Sequence, residues 1–321
     1  MDRRTALGSL IATPLLAAPA LAQSWPERPV RIIIPFPPGG SNDTVARIVQ
    51  PRLQEILGRP IVVDNRAGAS GSVASGETAR AQPDGHTWML ANDTLANNET
   101  LMSLPYRVME AFTFCSVLGT CPYALTAHPG TPLRALPQLI QAARAGPDTL
   151  SYATTGVGSL AHIATVLLQR RGDFRISHVP DRGGGPALQD ALAGHVPLFM
   201  SNIVIILNHI REGRLLPLGV TSPQTSRFLP QVPTFASQGF SGFEALTYWV
   251  LVGPAGVAPA ITTRMQAALR QVLSEPAVQA RMADQGAEIT ATTPAETEAF
   301  IRAEIEKWGA VIRTNNIRVE S

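Results

Sequence analysis

The sequence has few of the features of nucleic-acid-binding or disordered proteins. Charged residues are only 16% of its 321 residues and the formal charge is +2, so no excess of positive charge points to nucleic acid or an anionic membrane. The hydrophobic content of 45% excludes an intrinsically disordered chain, which needs low hydrophobicity and high net charge. Lys307 is the only lysine, so a mechanism that needs a lysine must use this one.

Long apolar runs are scarce as well, and the longest informative one lies at the start. Arg3 and Arg4 precede an apolar stretch from Ala6 to Ala18, which small residues follow up to Ala22. This pattern is typical of a secretory signal peptide, and we expect cleavage after Ala22. The adjacent arginines leave both general export and twin-arginine export open. We therefore predict a soluble mature protein in the periplasm.

The chain has only two cysteines, Cys115 and Cys121. An exported protein can form disulfides, but two cysteines six residues apart on one extended strand are separated by ~20 Å. Only a tight reversal near Gly119 would bring them together. We therefore expect two buried free thiols.

Beta-branched runs alternate with amphipathic segments along the chain. The first pair is a strand over 30–35 and a helix over 43–57, which Pro51 should kink or divide. Further strands are predicted over 60–64, 87–91, 150–153, 175–179 and 196–200, and further helices over 70–81, 160–169 and 186–193. This alternation predicts an α/β fold with a mainly parallel sheet.

Two strand-like segments stand apart from this alternation and predict two lobes. Thr113–Ala127 carries two short apolar runs on either side of Pro122, and Leu246–Val252 is aromatic and β-branched. We predict that both segments cross between a discontinuous first lobe, residues 23–125 plus 248–321, and an inserted second lobe, residues 126–247.

Four glycine-rich turns fall at predicted strand-to-helix junctions, at 35–43, 68–72, 154–159 and 183–186. Free backbone N–H groups and the positive end of a helix dipole bind anions without a cationic side chain. Ser41, Ser70 and Ser159 add hydroxyls that either cap the helices or donate to a ligand. Glycine and serine also occur there simply as turns and caps. Four such turns at the carboxyl ends of strands nevertheless favour a ligand cleft lined by helix N-termini.

Enzyme and cofactor motifs fail on inspection. Gly156–Ala161 fits a dinucleotide-binding pattern but lacks an acidic partner at the right place, and the histidines show no metal-ligand spacing. We therefore expect no cofactor and no metal. His162 is either a structural histidine or a ligand contact, and Tyr248-Trp249 either stacks on a ligand or belongs to the core.

The segment Ile33–Asp43 resembles the opening signature of the Bug-type (TctC-like) extracytoplasmic solute receptors, the binding components of tripartite tricarboxylate transporters. The likeness continues in order through the mature chain, at 63–71, 83–87, 152–162, 185–188 and 253–256. The resemblance implies a type 2 periplasmic binding protein fold, with two α/β lobes, two crossing strands and a ligand cleft between them.

The resemblance also implies a small carboxylate ligand, held by backbone groups and helix N-termini. The matching motifs place the opposing jaws at the loops around Gly39 and Gly158. The expected ligand contacts are Phe36, Pro38, Gly39, Gly40, Ser41, Asp43, Ala69, Ser70, Gly71, Thr94, Thr155, Gly158, Ser159, His162, Gly184 and Gly185. The implied partners are membrane transporter subunits or a sensor. We expect no nucleic-acid partner, and we expect a monomer.

Two departures from the family pattern bear on the ligand. Asp181-Arg182 replaces a common Tyr-Lys, and Ser201 replaces an aspartate that could pair with a ligand ammonium. Both changes favour a monocarboxylate or an acid with an uncharged tail. The alternative function is an exported serine hydrolase that uses Ser159 and His162, which lie three residues apart on one helix, although no third orienting residue is evident.

Overall fold

The computed structural model describes residues 25–318, so the predicted signal peptide lies outside the described residues. Within that range no helix combines the length and the apolar character needed to cross a membrane.

Strands and helices alternate as the sequence predicts. The strands are β1 (Val30–Ile34), β2 (Ile61–Asn65), β3 (Thr87–Ala91), β4 (Phe112–Ala127), β5 (Ser151–Thr154), β6 (Ser177–Pro180), β7 (Leu198–Asn202), β8 (Leu216–Val220), β9 (Leu246–Pro254) and β10 (Glu288–Ile289). The helices are α1 (Ser41–Leu57), α2 (Ser72–Ala79), α3 (Thr94–Leu101), α4 (Val108–Ala111), α5 (Leu136–Ala145), α6 (Leu160–Gly172), α7 (Gly184–Ala193), α8 (Ile203–Arg211), α9 (Pro259–Ser274), α10 (Pro276–Asp284) and α11 (Pro294–Thr314).

The strand order is β2-β1-β3-β9-β4-β7-β5-β6, with β8 and β10 also paired to β4. In the first lobe, β1 runs parallel to β2 and β3. In the second lobe, β5 runs parallel to β6 and β7. The helices that follow these parallel strands begin at their carboxyl ends, where ligands of open α/β sheets collect.

Strand β4 belongs to both lobes. Residues 112–122 pair with β9, whereas residues 123–127 pair with β7 and β8. The two runs on either side of Pro122 are therefore one continuous strand. The chain returns beside it, because Thr221 and Ala245 are hydrogen-bonded next to Tyr123. This geometry supports the predicted crossing strands, and the numbered lobe boundaries stay predictions.

Two helix predictions need correction. Helix α1 runs through Pro51 without division, because Val45, Val49 and Leu53 are buried on one face on both sides of the proline. The helix predicted over 70–81 instead begins at Ser72, after a short 3₁₀ turn. Ser70 and Gly71 have φ of 50° and 88°, and these left-handed conformations cannot continue a right-handed helix.

The cysteine prediction is confirmed: Cys115 and Cys121 both lie on β4, and both are buried and free. Tyr248 and Trp249 on β9 are fully buried in the core of the first lobe. The C-terminal helix α11 contributes Trp308 to the hydrophobic cluster of the second lobe, so it packs against both halves of the molecule.

Candidate functional site

A small cavity lies between the two lobes, where the helices that follow β1, β6 and β7 begin. It encloses about 20 Å³ of water-accessible space, close to what one water molecule needs. Its walls are neutral side chains and backbone. The lining residues are Phe36, Gly40, Ser41, Asn42, Asn92, Tyr123, Thr155, Gly184, Asn202 and Ile205.

The first turn of α1 forms one wall of this cavity. Gly40 is the N-cap and no side chain caps the helix, so the first backbone N–H groups have no partner within the helix. Ser41 and Asn42 are buried. The Asn42 side-chain amide donates to the Leu90 carbonyl over 2.8 Å, which ties the start of α1 to the end of β3.

Asp43 braces the glycine turn in front of α1. Its Oδ2 accepts hydrogen bonds from the Gly39 N–H at 3.2 Å and from Arg47 at 3.0 Å, and its Oδ1 accepts one from Asn65 at 3.3 Å. Burial alone would raise the pKa of Asp43, but the bonds from Arg47, Gly39 and Asn65 outweigh it and hold the pKa below its usual value. The carboxylate therefore shapes the turn and leaves the helix N–H groups free.

Two helices of the second lobe begin at the same cavity. Gly183 and Asn202 are the N-caps of α7 and α8, and neither helix has a side-chain cap bond. Three uncapped helix N-termini thus converge on one uncharged cavity, and each carries a partial positive charge. The Asn202 amide also donates to Ser41 Oγ over 3.2 Å and so links the two lobes.

Glycine is needed where the facing loops touch. A Cβ at Gly183 would lie 2.8 Å from Cδ of Pro37, and one at Gly185 would lie 3.1 Å from the Pro38 carbonyl oxygen. Gly183 also has φ of 133°, a conformation that side-chain-bearing residues rarely adopt. The cleft is therefore closed, with the loops before α1 and α7 in direct contact.

The turn before α6 is built differently. Ser159 is the N-cap; its Oγ accepts from the His162 backbone N–H at 3.3 Å and donates to the Gly156 carbonyl at 2.7 Å. The turn also contacts the first lobe, because Ser70 donates to the Val157 carbonyl over 2.6 Å. Only Thr155 of this region lines the cavity. The turn mainly holds the lobes together.

His162 lies beneath that turn and stacks on His178, with ring centroids 4.2 Å apart and planes 7° from parallel. Burial lowers the pKa of His162 to about 4. Burial, and then the neighbouring His162, lowers that of His178 to about 3. His162 Nδ1 accepts from the Gly158 N–H at 3.3 Å, and Ser159 Oγ bonds elsewhere. The geometry therefore does not pair Ser159 with His162 as nucleophile and base.

The predicted contacts fall into three groups. Phe36, Gly40, Ser41, Thr155 and Gly184 line the cavity. A second group lies outside that lining, on the neighbouring turns or in the first turns of α1, α3 and α7: Pro38, Gly39, Asp43, Ala69, Gly71, Thr94 and Gly185. A Cβ at Gly71 would approach Thr94 Oγ1 to 3.3 Å and Phe36 to 3.7 Å. The residues at the lobe contact around α6 are Ser70, Gly158, Ser159 and His162.

Five lining residues are missing from the predicted set: Asn42, Asn92, Tyr123, Asn202 and Ile205. Asn42 lies within the glycine motif, and Asn92 and Asn202 lie at or just after the carboxyl ends of β3 and β7. Ligands of open α/β sheets bind beyond these strand ends, so this rule could have found all three residues. Tyr123 follows Pro122 on the crossing strand. Nothing in the local sequence marks Ile205.

Asp93 is a further residue that sequence reasoning missed. It is fully buried, and its Oδ2 accepts from the hydroxyls of Tyr123 and Thr247, each over 2.7 Å. Its Oδ1 accepts from the Leu160 N–H of α6 at 3.5 Å. Burial raises the pKa of Asp93, although these bonds oppose the rise. This carboxyl group ties the first lobe, both crossing strands and α6 together.

A closed cleft between two α/β lobes, joined by crossing strands and lined by helix N-termini, defines a periplasmic binding protein. The family model described as "Tripartite tricarboxylate transporter family receptor" (TctC) matches residues 45–317, and the chain belongs to this family. The chain is 38% identical to Protein BugT of Bordetella pertussis over 317 residues, which is 98% of this chain and 97% of that protein.

Two solved structures from Rhodopseudomonas palustris match closely. MatC with bound malate has a TM-score of 0.85 and 30% identity, and the match covers 90% of this chain and all of that one. Rpa4515 with adipate has a TM-score of 0.88 and 29% identity, and the match covers 92% of this chain and 99% of that one. The family resemblance and the fold predicted from the sequence are confirmed.

Proposed function

We propose that this protein captures a small carboxylate in the interlobe cleft and presents it to a tripartite tricarboxylate-type transporter or to a sensor. The observation that carries the proposal is the convergence of three uncapped helix N-termini, those of α1, α7 and α8, on one cavity without a charged lining side chain. Such an arrangement binds an anion through backbone N–H groups and helix dipoles.

The bound acids of the two similar structures, malate and adipate, support a carboxylate. The ligand oxygens would meet the N–H groups at Gly40, Ser41 and Gly184, while Phe36 and Ile205 supply apolar walls. The loops around Pro38 and Gly185 would separate to admit the ligand and close again, by the rigid-body rotation common to binding proteins of this kind. We further propose that the protein acts in the periplasm as a monomer after cleavage behind Ala22.

The test is thermal unfolding of the mature protein, denatured and refolded to remove any carried ligand. The panel pairs small acids with their amides: propionate with propionamide, succinate with succinamide and adipate with adipamide. A ligand at ~100 times its dissociation constant adds ~2.7 kcal/mol, a shift of several degrees. We expect at least one acid to raise the melting temperature and its amide to leave it unchanged. A flat panel from a correctly refolded sample would contradict the carboxylate proposal.

A further inference from the structure

One buried polar atom of the cavity wall has no hydrogen-bond partner among the described residues. Asn202 is only 4% exposed and its amide nitrogen donates to Ser41, yet its Oδ1 is buried without a hydrogen bond. A buried carbonyl oxygen without a donor is costly. Asn202 lines the cavity, so a ligand group can supply the missing donor.

Tyr123, on the same part of the wall, has no proton to offer. It donates its hydroxyl proton to Asp93 Oδ2, which also accepts from Thr247. Toward the cavity Tyr123 can therefore present its ring and the lone pairs of its oxygen, and it cannot donate to a carboxylate. Asn202 and Tyr123 together make this side of the cavity an acceptor side.

The part of the cavity wall next to Asn202 is a donor side. Ser41 Oγ accepts from Asn202, which leaves the Ser41 hydroxyl proton free to donate to a ligand. The uncapped starts of α1 and α7 add backbone N–H groups. A carboxylate fits these donors. The Asn202 side-chain nitrogen bonds to Ser41 on the donor side, and the Oδ1 of the same amide group belongs to the acceptor side. The two sides are therefore immediate neighbours.

We propose that the carboxylate ligand is a hydroxy acid, whose hydroxyl lies one or two carbons from the carboxylate and donates to Asn202 Oδ1. This inference rests on the proposed function and names the ligand class of the same site. A keto group cannot donate to Asn202. An ammonium group would face the positive ends of three helices without a carboxylate among the lining residues.

The test is calorimetric titration of the refolded mature protein with acids of matched length. The three-carbon set is lactate, propionate, pyruvate and alanine, and the four-carbon set is malate and succinate. We expect the hydroxy acid of whichever set binds to have a dissociation constant roughly 10-fold lower than its unsubstituted acid, the effect of one good hydrogen bond.

Two variants assign the preference to its residue. Asn202→Ala should lower the affinity for the hydroxy acid to that for the unsubstituted acid. The substitution removes no helix-capping hydrogen bond, because the Asn202 side chain makes none. Asn208→Ala, on the exposed side of the same helix, should keep the wild-type preference.

Each other outcome overturns the inference. Equal affinities, or a preference for pyruvate or alanine, would reject the hydroxy acid and leave the carboxylate site standing. A hydroxyl preference that survives in Asn202→Ala would reject the role of Asn202. If no acid of either length binds a sample that refolds to the wild-type circular dichroism, this inference fails, and a flat acid–amide panel shows whether the proposed function fails with it.

Discussion

Helices α1 and α6 begin with similar sequences and have different roles. Gly39-Gly40-Ser41 precedes one, and Gly156-Val157-Gly158-Ser159 precedes the other. In α6, Ser159 occupies the N-cap and its Oγ accepts from the helix backbone. In α1, the N-cap is Gly40 and Ser41 is already the first helical residue. A shift of one residue therefore decides whether the serine caps the helix or leaves its N–H groups open.

The comparison extends to what lies behind each helix start. The α1 turn is braced by Asp43 and lines the cavity. The α6 turn is tied to Asp93 and Ser70 of the first lobe and covers the buried His162, which stacks on the half-buried His178. Changes near α1 should therefore reduce binding, and changes near α6 should reduce stability.

The largest effect should follow removal of the Asp93 carboxyl group, which ties α6 to the crossing strands. Asp93→Ala leaves the hydroxyls of Tyr123 and Thr247 without their acceptor, at about 1–3 kcal/mol each. We expect a fall in melting temperature on the order of 5–15 °C, measured by calorimetry. Asp284→Ala, at an exposed position of α10, is the control. Equal melting temperatures for both variants would contradict the role of Asp93 in holding α6 and the crossing strands together.

The stacked histidines predict an acid-sensitive α6 region. Their pKa values are lowered in the fold to about 4 and about 3, so the unfolded chain binds more protons below its pKa of ~6.5. Their contribution is complete above pH ~6.5 and is lost as the pH falls through about 4. Between pH 7.5 and 4.5, His178→Phe should lose less unfolding free energy than wild type, by roughly 1–3 kcal/mol in urea titrations.

Gln224→Phe, a substitution of an exposed residue without a titratable group, is the control for this titration. It should keep the pH dependence of the wild type. A His178→Phe protein with the same loss as wild type would show that the stacked pair does not titrate as described.

Substitution of Ser159 and substitution of Ser41 should differ in their effect on acid affinity. Ser159→Ala removes a cap and should cost about 1 kcal/mol of stability, with acid affinity almost unchanged. Ser41→Ala should weaken acid binding by roughly 10-fold, and it should also cost some stability because the buried Asn202 amide loses its acceptor. Melting curves and calorimetric titrations of both variants check this. The opposite assignment would mean that α6 binds the ligand.

Ser159→Ala also separates the receptor from the alternative hydrolase. A serine hydrolase would lose a factor of roughly 10³ or more in turnover when its nucleophile is removed. Ester hydrolysis by the wild-type protein that disappears in this variant would favour the enzyme.

The smallest effect should come from the closing loops. Gly185→Ala places a methyl group 3.1 Å from the Pro38 carbonyl oxygen across the cleft, so closure should be hindered and acid affinity reduced by a few-fold. Gly76→Ala on α2, where the nearest atom belongs to the flexible end of Arg80, should leave affinity unchanged. Identical affinities would show that the two loops separate in the bound form.

Local patterns predicted what depends on local chemistry. The glycine turn before α1, the parallel strands and the crossing segments follow from residue type and spacing, and so does the burial of Cys115 and Cys121. Pro51 does not divide α1 because its cost within the helix is outweighed by burial of Val45, Val49 and Leu53, which only the tertiary structure reveals.

The remaining site residues depend on contacts between distant segments. Asn202 meets Ser41 although 161 positions separate them, and Tyr123 meets Asp93 across 30. No periodicity encodes such pairings. The role of Ser159 was predictable in principle as a helix cap, but its sequence motif alone does not say whether the neighbouring N–H groups face a ligand.

The most direct test is a crystal structure of the refolded protein with the acid that raises its melting temperature most. The account predicts that the ligand carboxylate lies within hydrogen-bond distance of the backbone N–H groups at the start of α1 and α7, near Ser41 and Gly184. A carboxylate seated instead on the turn of Gly158 and Ser159, or outside the cleft, would contradict it.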